Sequence, residues 1–225
     1  MSKRNTACTT LAGLCVAVAL ASLIPADAAR GAGSVSVGGF QLKKSEDTAL
    51  NKHKSGRKER DKGVKYEQKA ARQSNEEKRN KYLTRAKEEY EKAATSFQEA
   101  VEIKSDFHEA WKDLGFVYRK TGDFDGSLRA YDKALQLKPD YAEAFGERAE
   151  SFLWMNRLDE AKQAYMHLFP RRRDLADRLM AAMQDWVDAK KREPSGVDAT
   201  LIQDFADWVA HRNELAQQTA AVQYQ

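Results

Sequence analysis

Residues 108–139 read HEAWKDLGFVYRKTGDFDGSLRAYDKALQLKP, and this stretch decides the fold. Trp111, Leu114 and Tyr118 stand three and four apart, so they share one face of a helix. Tyr131, Ala134 and Leu137 stand three apart after a break at Thr121-Gly122-Asp123. The pattern predicts two short helices packed antiparallel across that turn. Gly115 lacks a side chain and lets the second helix approach closely, with Ser127 and Ala134 as its small counterparts. Pro139 has no N–H to donate and its ring clashes with a preceding carbonyl, so it ends the second helix.

Trp111-x2-Leu114-Gly115-x2-Tyr118, followed by Ser127, Tyr131 and Pro139, resembles the tetratricopeptide repeat, a helical hairpin of 34 residues. Ser127 and Tyr131 depart from it where the family usually has alanine and phenylalanine. One hairpin cannot bury its apolar face, so neighbours at the same period are expected. One period forward stand Phe145, Ala149, Phe152, Ala161 and Tyr165, with Arg148 at the leucine position. One period back stand Ala93, Phe97, Ala100 and Ile103, while Glu77 and Lys81 occupy the Trp and Gly positions. The expected fold is all-α, an array of antiparallel helix pairs with units at about 74–107, 108–141 and 142–170.

At the N-terminus, Lys3 and Arg4 precede an uncharged run whose apolar core is Leu11 to Ile24, and Ala26-Asp27-Ala28 follows. This is the pattern of a secretory leader, expected to span residues 1–28 and to direct the mature chain to the periplasm or outside the cell. The alternative is an uncleaved anchor, for which the core is shorter than the roughly 20 residues a spanning helix needs. Cys8 and Cys15 both lie in this segment, so the remaining chain has no thiol for a disulfide or a metal cluster.

Residues 29–63 are expected to form a flexible basic linker. Between Lys43 and Arg72 the chain holds eleven Lys or Arg against five Asp or Glu, and Gly56 and Gly63 interrupt it. The helical array is then expected over 64–170 and a helical cap over 171–222. In the cap, Asp174 and Asp198 serve as helix N-caps, and Leu175, Leu179, Met183, Trp186, Leu201, Phe205 and Trp208 form the apolar faces.

No catalytic motif is present. The four histidines stand in no metal-binding spacing, no serine lies on a glycine elbow, and no glycine-rich phosphate loop appears. The chain is expected to be no enzyme and to take no cofactor or metal.

The resemblance implies that first helices line a concave face that binds peptide or protein segments. Its inward positions fall on Glu109, Lys112, Phe116, Arg119 and Lys120 in the central unit. They fall on Lys78, Tyr82 and Arg85 before it, and on Glu143, Glu150 and Leu153 after it. Tyr82 and Phe116 would seat an apolar side chain, with the basic residues favouring an acidic or C-terminal peptide. The expected role is an exported scaffold or assembly factor. The alternatives are self-association, with Trp154 exposed, and tethering to an anionic envelope surface through residues 43–72. Nucleic acid is not an expected partner, because an exported chain does not meet it and the basic tract carries a single aromatic, Tyr66, for base stacking.

Overall fold

A computed structural model describes residues 37–222, all within one compact unit, with side chains from 43 to 219. The expected leader and the linker up to Ser36 lie outside the described residues. The described residues form eight helices: α1 Val37–Ala71, α2 Glu76–Ile103, α3 His108–Thr121, α4 Phe124–Leu137, α5 Ala142–Trp154, α6 Leu158–Leu168, α7 Arg173–Arg192 and α8 Ala199–Val222. No strand occurs among the described residues, and no helix there is long and apolar enough to cross a membrane. Helices pair antiparallel in chain order, and α1, α3, α5 and α7 form a row in which each packs against the next.

The central pair forms as its sequence dictates. Gly122 ends α3 in the left-handed region at φ 90°, and the Asp123 carboxylate caps α4 by accepting from the Gly126 N–H at 2.8 Å. A Cβ on Gly115 would lie 2.9 Å from the Tyr131 ring, which marks the crossing of α3 and α4. Both departures from the repeat pattern add a hydroxyl that finds a partner. Ser127 Oγ donates to the Gly115 carbonyl at 2.8 Å and lies 2.8 Å from Ser151 Oγ. The Tyr131 hydroxyl donates to Glu147 at 3.3 Å. Arg148, at the leucine position of the next unit, covers the Phe145 and Phe152 rings at 5.5 Å each and pairs with Asp132.

Gly115→Leu is expected to overpack this crossing and lower stability by about 1–3 kcal/mol or more. Thermal unfolding followed by circular dichroism measures it, and a wild-type melt would displace Gly115 from the crossing.

The N-terminal region corrects two expectations. From Val37 onward there is no flexible linker: α1 is a helix of 35 residues, about 50 Å long, lying along α2. Its buried seam is Ala49, Gly56, Gly63 and Ala70, four small residues spaced seven apart. A Cβ on Gly56 would lie 2.7 Å from the Phe97 ring, and one on Gly63 would lie 2.5 Å from Tyr90. These glycines do not break the helix; they are where two large rings of α2 press against it. The first unit is also not a hairpin within 74–107. Residues 76–103 contain neither Gly nor Pro and run as one helix, so α1 supplies the first helix of that pair and α2 the second.

At the other end, α7 and α8 close the array over the third pair. Trp186 is fully buried and meets Phe205 edge-on at 5.2 Å, while Trp208 reaches Tyr165 at 5.7 Å. Asp198 caps α8, accepting from Thr200 N–H at 2.8 Å. Asp174 is no cap: α7 starts at Arg173, and Asp174 lies in its first turn, paired with Arg172 at 3.0 Å. Ile202 is the buried residue at the start of α8, and Leu201 is exposed.

Candidate functional site

The inward positions of α3 and α5 meet in a cluster of alternating charges. Asp113 lies at its centre and is 3% exposed. Its Oδ1 accepts from Arg60 of α1 at 2.9 Å and pairs with Lys112 at 2.7 Å, and its Oδ2 lies 2.8 Å from His53 Nε2. Lys112 continues to Glu147 of α5 at 3.8 Å, and Arg119 pairs with Glu150 of α5 at 2.9 Å. Arg60, Lys112 and Arg119 thus face Asp113, Glu147 and Glu150, three against three. The cluster ties α1, α3 and α5 together.

Burial opposes ionisation of Asp113, but the His53 hydrogen bond, Lys112 and Arg60 outweigh it and hold the carboxyl down at about 2. Glu147 goes the other way: burial pushes it up, and Lys112 and Arg119 do not fully compensate. Burial also works against the charges of Lys112 and Arg119, yet the neighbouring carboxylates raise both above their ordinary values.

The expected site residues divide into three groups. Lys112, Arg119 and Glu150 are brought together between α3 and α5, with Glu109 and Phe116 on the same helix as Lys112 and Arg119. Phe116 is half-buried, edge-on to Tyr90 at 6.1 Å, with Arg119 and Lys120 over its ring at 5.4 and 5.8 Å. It therefore packs partly into the helix core and is partly exposed. Lys120 bonds Glu67 of α1 at 2.9 Å, Glu143 pairs with Arg172 at 3.1 Å, and Glu109 pairs with His108 at 3.2 Å. Leu153 is 1% exposed and belongs to the core, not the groove.

Lys78, Tyr82 and Arg85 are elsewhere. They lie on the first half of α2, where Tyr82 is already two turns, about 12 Å, beyond Tyr90. Tyr82 stacks on Tyr66 of α1, and Arg85 covers the same ring. A place in the groove would require a helix break that the unbroken α2 does not have.

His53, Arg60, Asp113 and Glu147 are members of the charge cluster that the repeat pattern does not mark. His53 and Arg60 are seven apart, on the same side as Gly56 and Gly63, so the spacing is the signal available for them. Among the described residues no group of three or more His, Cys, Asp or Glu is placed to hold a metal ion.

Residues 108–141 match the family model of the tetratricopeptide repeat. Among solved structures, the chain is similar to the Arabidopsis OM64 TPR domain, at 12% identity over 61% of this chain and 98% of that one, with a TM-score of 0.41. It is also similar to a thermophilic TPR protein of Thermus thermophilus, TTC0263, at 23% identity over 64% and 71% of the two chains, with a TM-score of 0.42. No match was found among curated proteins. The match at 108–141 covers α3, the α3–α4 turn and α4, so the matched segment carries Lys112, Phe116 and Arg119.

Proposed function

We propose that the chain is an exported, non-catalytic scaffold or assembly factor that binds a peptide or protein segment against α3 and α5. Tetratricopeptide repeats generally mediate contacts between proteins, and the repeat at 108–141 supports that reading here. The observation that carries it is Phe116, an aromatic at a position expected to face inward, partly exposed and flanked by cations. Export rests on the leader pattern of residues 1–28 alone. An acidic ligand has less to hold than the sequence suggests. Lys112 and Arg119 are committed to Asp113, Glu147 and Glu150, so an incoming carboxylate must compete with them. Recognition then centres on the Phe116 ring. Self-association is a second reading, favoured by Trp154 and Met166, each 45% exposed.

Peptides selected from a displayed random library on the immobilised chain test the groove. Phe116→Ala is expected to weaken the selected peptides by about 2 kcal/mol or more, roughly thirtyfold, with helicity retained. Lys112→Ala should affect both stability and binding, because its charge is part of the cluster. No enrichment, or binding indifferent to Phe116→Ala, rejects the groove. Light scattering of the same sample reads self-association.

A further inference from the structure

The α1–α2 hairpin carries a concentration of positive charge at its closed end. Residues 62–87 hold nine Lys or Arg against three Asp or Glu, a net of +6 in a chain whose total is +4. Lys65 and Lys69 on α1, with Arg72 in the turn just past its end, recur at three- and four-residue spacing, and on α2 Lys78, Lys81 and Arg85 do the same, so each set forms one stripe. The stripes lie on the same side of the hairpin. Tyr66 of α1 stacks on Tyr82 of α2 at 6.3 Å, and Lys69 and Arg85, one from each stripe, both cover the Tyr66 ring, at 5.3 and 5.9 Å.

Other cations here are paired: Lys62 with Glu89, Arg79 with Glu76 and Lys87 with Glu91. The six stripe residues are all exposed, and none has a carboxylate within ion-pairing distance among the described residues. Glu67 is turned to Lys120 of α3, while Glu77 and Glu88 are exposed acids bordering the α2 stripe.

We propose that this side of the hairpin end docks on an anionic lipid surface. The cations extend about 10–15 Å along two adjacent helices and form a broad face, which suits a plane of charged headgroups. Tyr66 and Tyr82 place amphipathic rings among the cations, as suits the headgroup layer. Nucleic acid fits less well, because the Tyr66 ring that a base would stack on already carries Tyr82, Lys69 and Arg85. The site is separate from the groove and does not depend on a peptide binding there.

The full chain is mixed with vesicles of phosphatidylcholine, alone or with about one-third phosphatidylglycerol, and the ratio of the two partition coefficients is read by co-sedimentation. The apolar run of residues 11–24 contributes to both vesicle types, so the ratio isolates the charge term. Preference for the anionic vesicles should fall with rising salt. Lys65→Gln/Lys69→Gln/Lys81→Gln should lower it at least about tenfold, with roughly fivefold per cation as the additive upper bound. Lys133→Gln/Lys190→Gln/Lys191→Gln removes equal charge from α4 and α7 and should leave it nearly unchanged. Circular dichroism melts establish that both variants fold. Equal partitioning into both vesicle types, or an equal loss in the two variants, overturns the proposal. So does tighter binding of a labelled oligonucleotide than of anionic vesicles at the same salt, which would point to nucleic acid.

Discussion

Asp113→Ala is expected to destabilise the chain by about 3–5 kcal/mol, because it leaves Arg60, Lys112 and His53 facing one another without their shared carboxylate. The loss should be concentrated where α1 meets α3. Hydrogen exchange along residues 50–64 should rise more than along α7, and the denaturant midpoint should fall. An unchanged midpoint would mean that α1 is held by the glycine–aromatic contacts alone. The same carboxyl gives a pH signature. Its folded pKa of about 2 lies below the unfolded value of about 3.9. The stabilisation is therefore fully present above the unfolded value and is lost as pH falls through about 2. The stability gap between wild type and Asp113→Asn should be widest above about pH 4 and close toward pH 2. A gap independent of pH over that range would remove ionisation from the account.

Trp186→Ala is expected to cost about 3–5 kcal/mol, the range for deleting a fully buried large aromatic. Trp186 stands 0% exposed in the cluster that joins α5, α6, α7 and α8, against Phe205. Without it α8 loses the Phe205 contact with α7, and the third pair loses part of its cover. The effect should appear as early melting and as raised exchange in α8, while exchange in α1 and α2 changes less, as in a linear array of neighbouring units. Trp186→Phe keeps part of the buried area and should lose less. Equal losses in the two variants would show that the indole ring does not fill that space.

The central repeat was legible because its chemistry is local. Trp111, Leu114, Gly115, Tyr118, Tyr131 and Pro139 are set by helix period, crossing distance and helix termination, all of which operate within 34 residues. The same reasons made α7 and α8 readable, since large apolar residues at helical spacing announce a buried face. That register alone also gave Phe116 and Lys112 as positions expected to face inward.

What the sequence did not disclose is α1 and everything joined to it. Its seam of Ala49, Gly56, Gly63 and Ala70 carries almost no apolar signal, and the large side chains that fill the interface belong to α2. Burial there depends on a partner about 30–40 positions away, so a charged, glycine-containing stretch resembles a linker until Tyr90 and Phe97 lie against it. The same holds for the charges. The sequence alone put Lys112 and Arg119 at positions expected to face inward; only the tertiary structure decided that Asp113, Glu147 and Glu150 already hold them, because pairing is set by distances across helices and not by spacing along one.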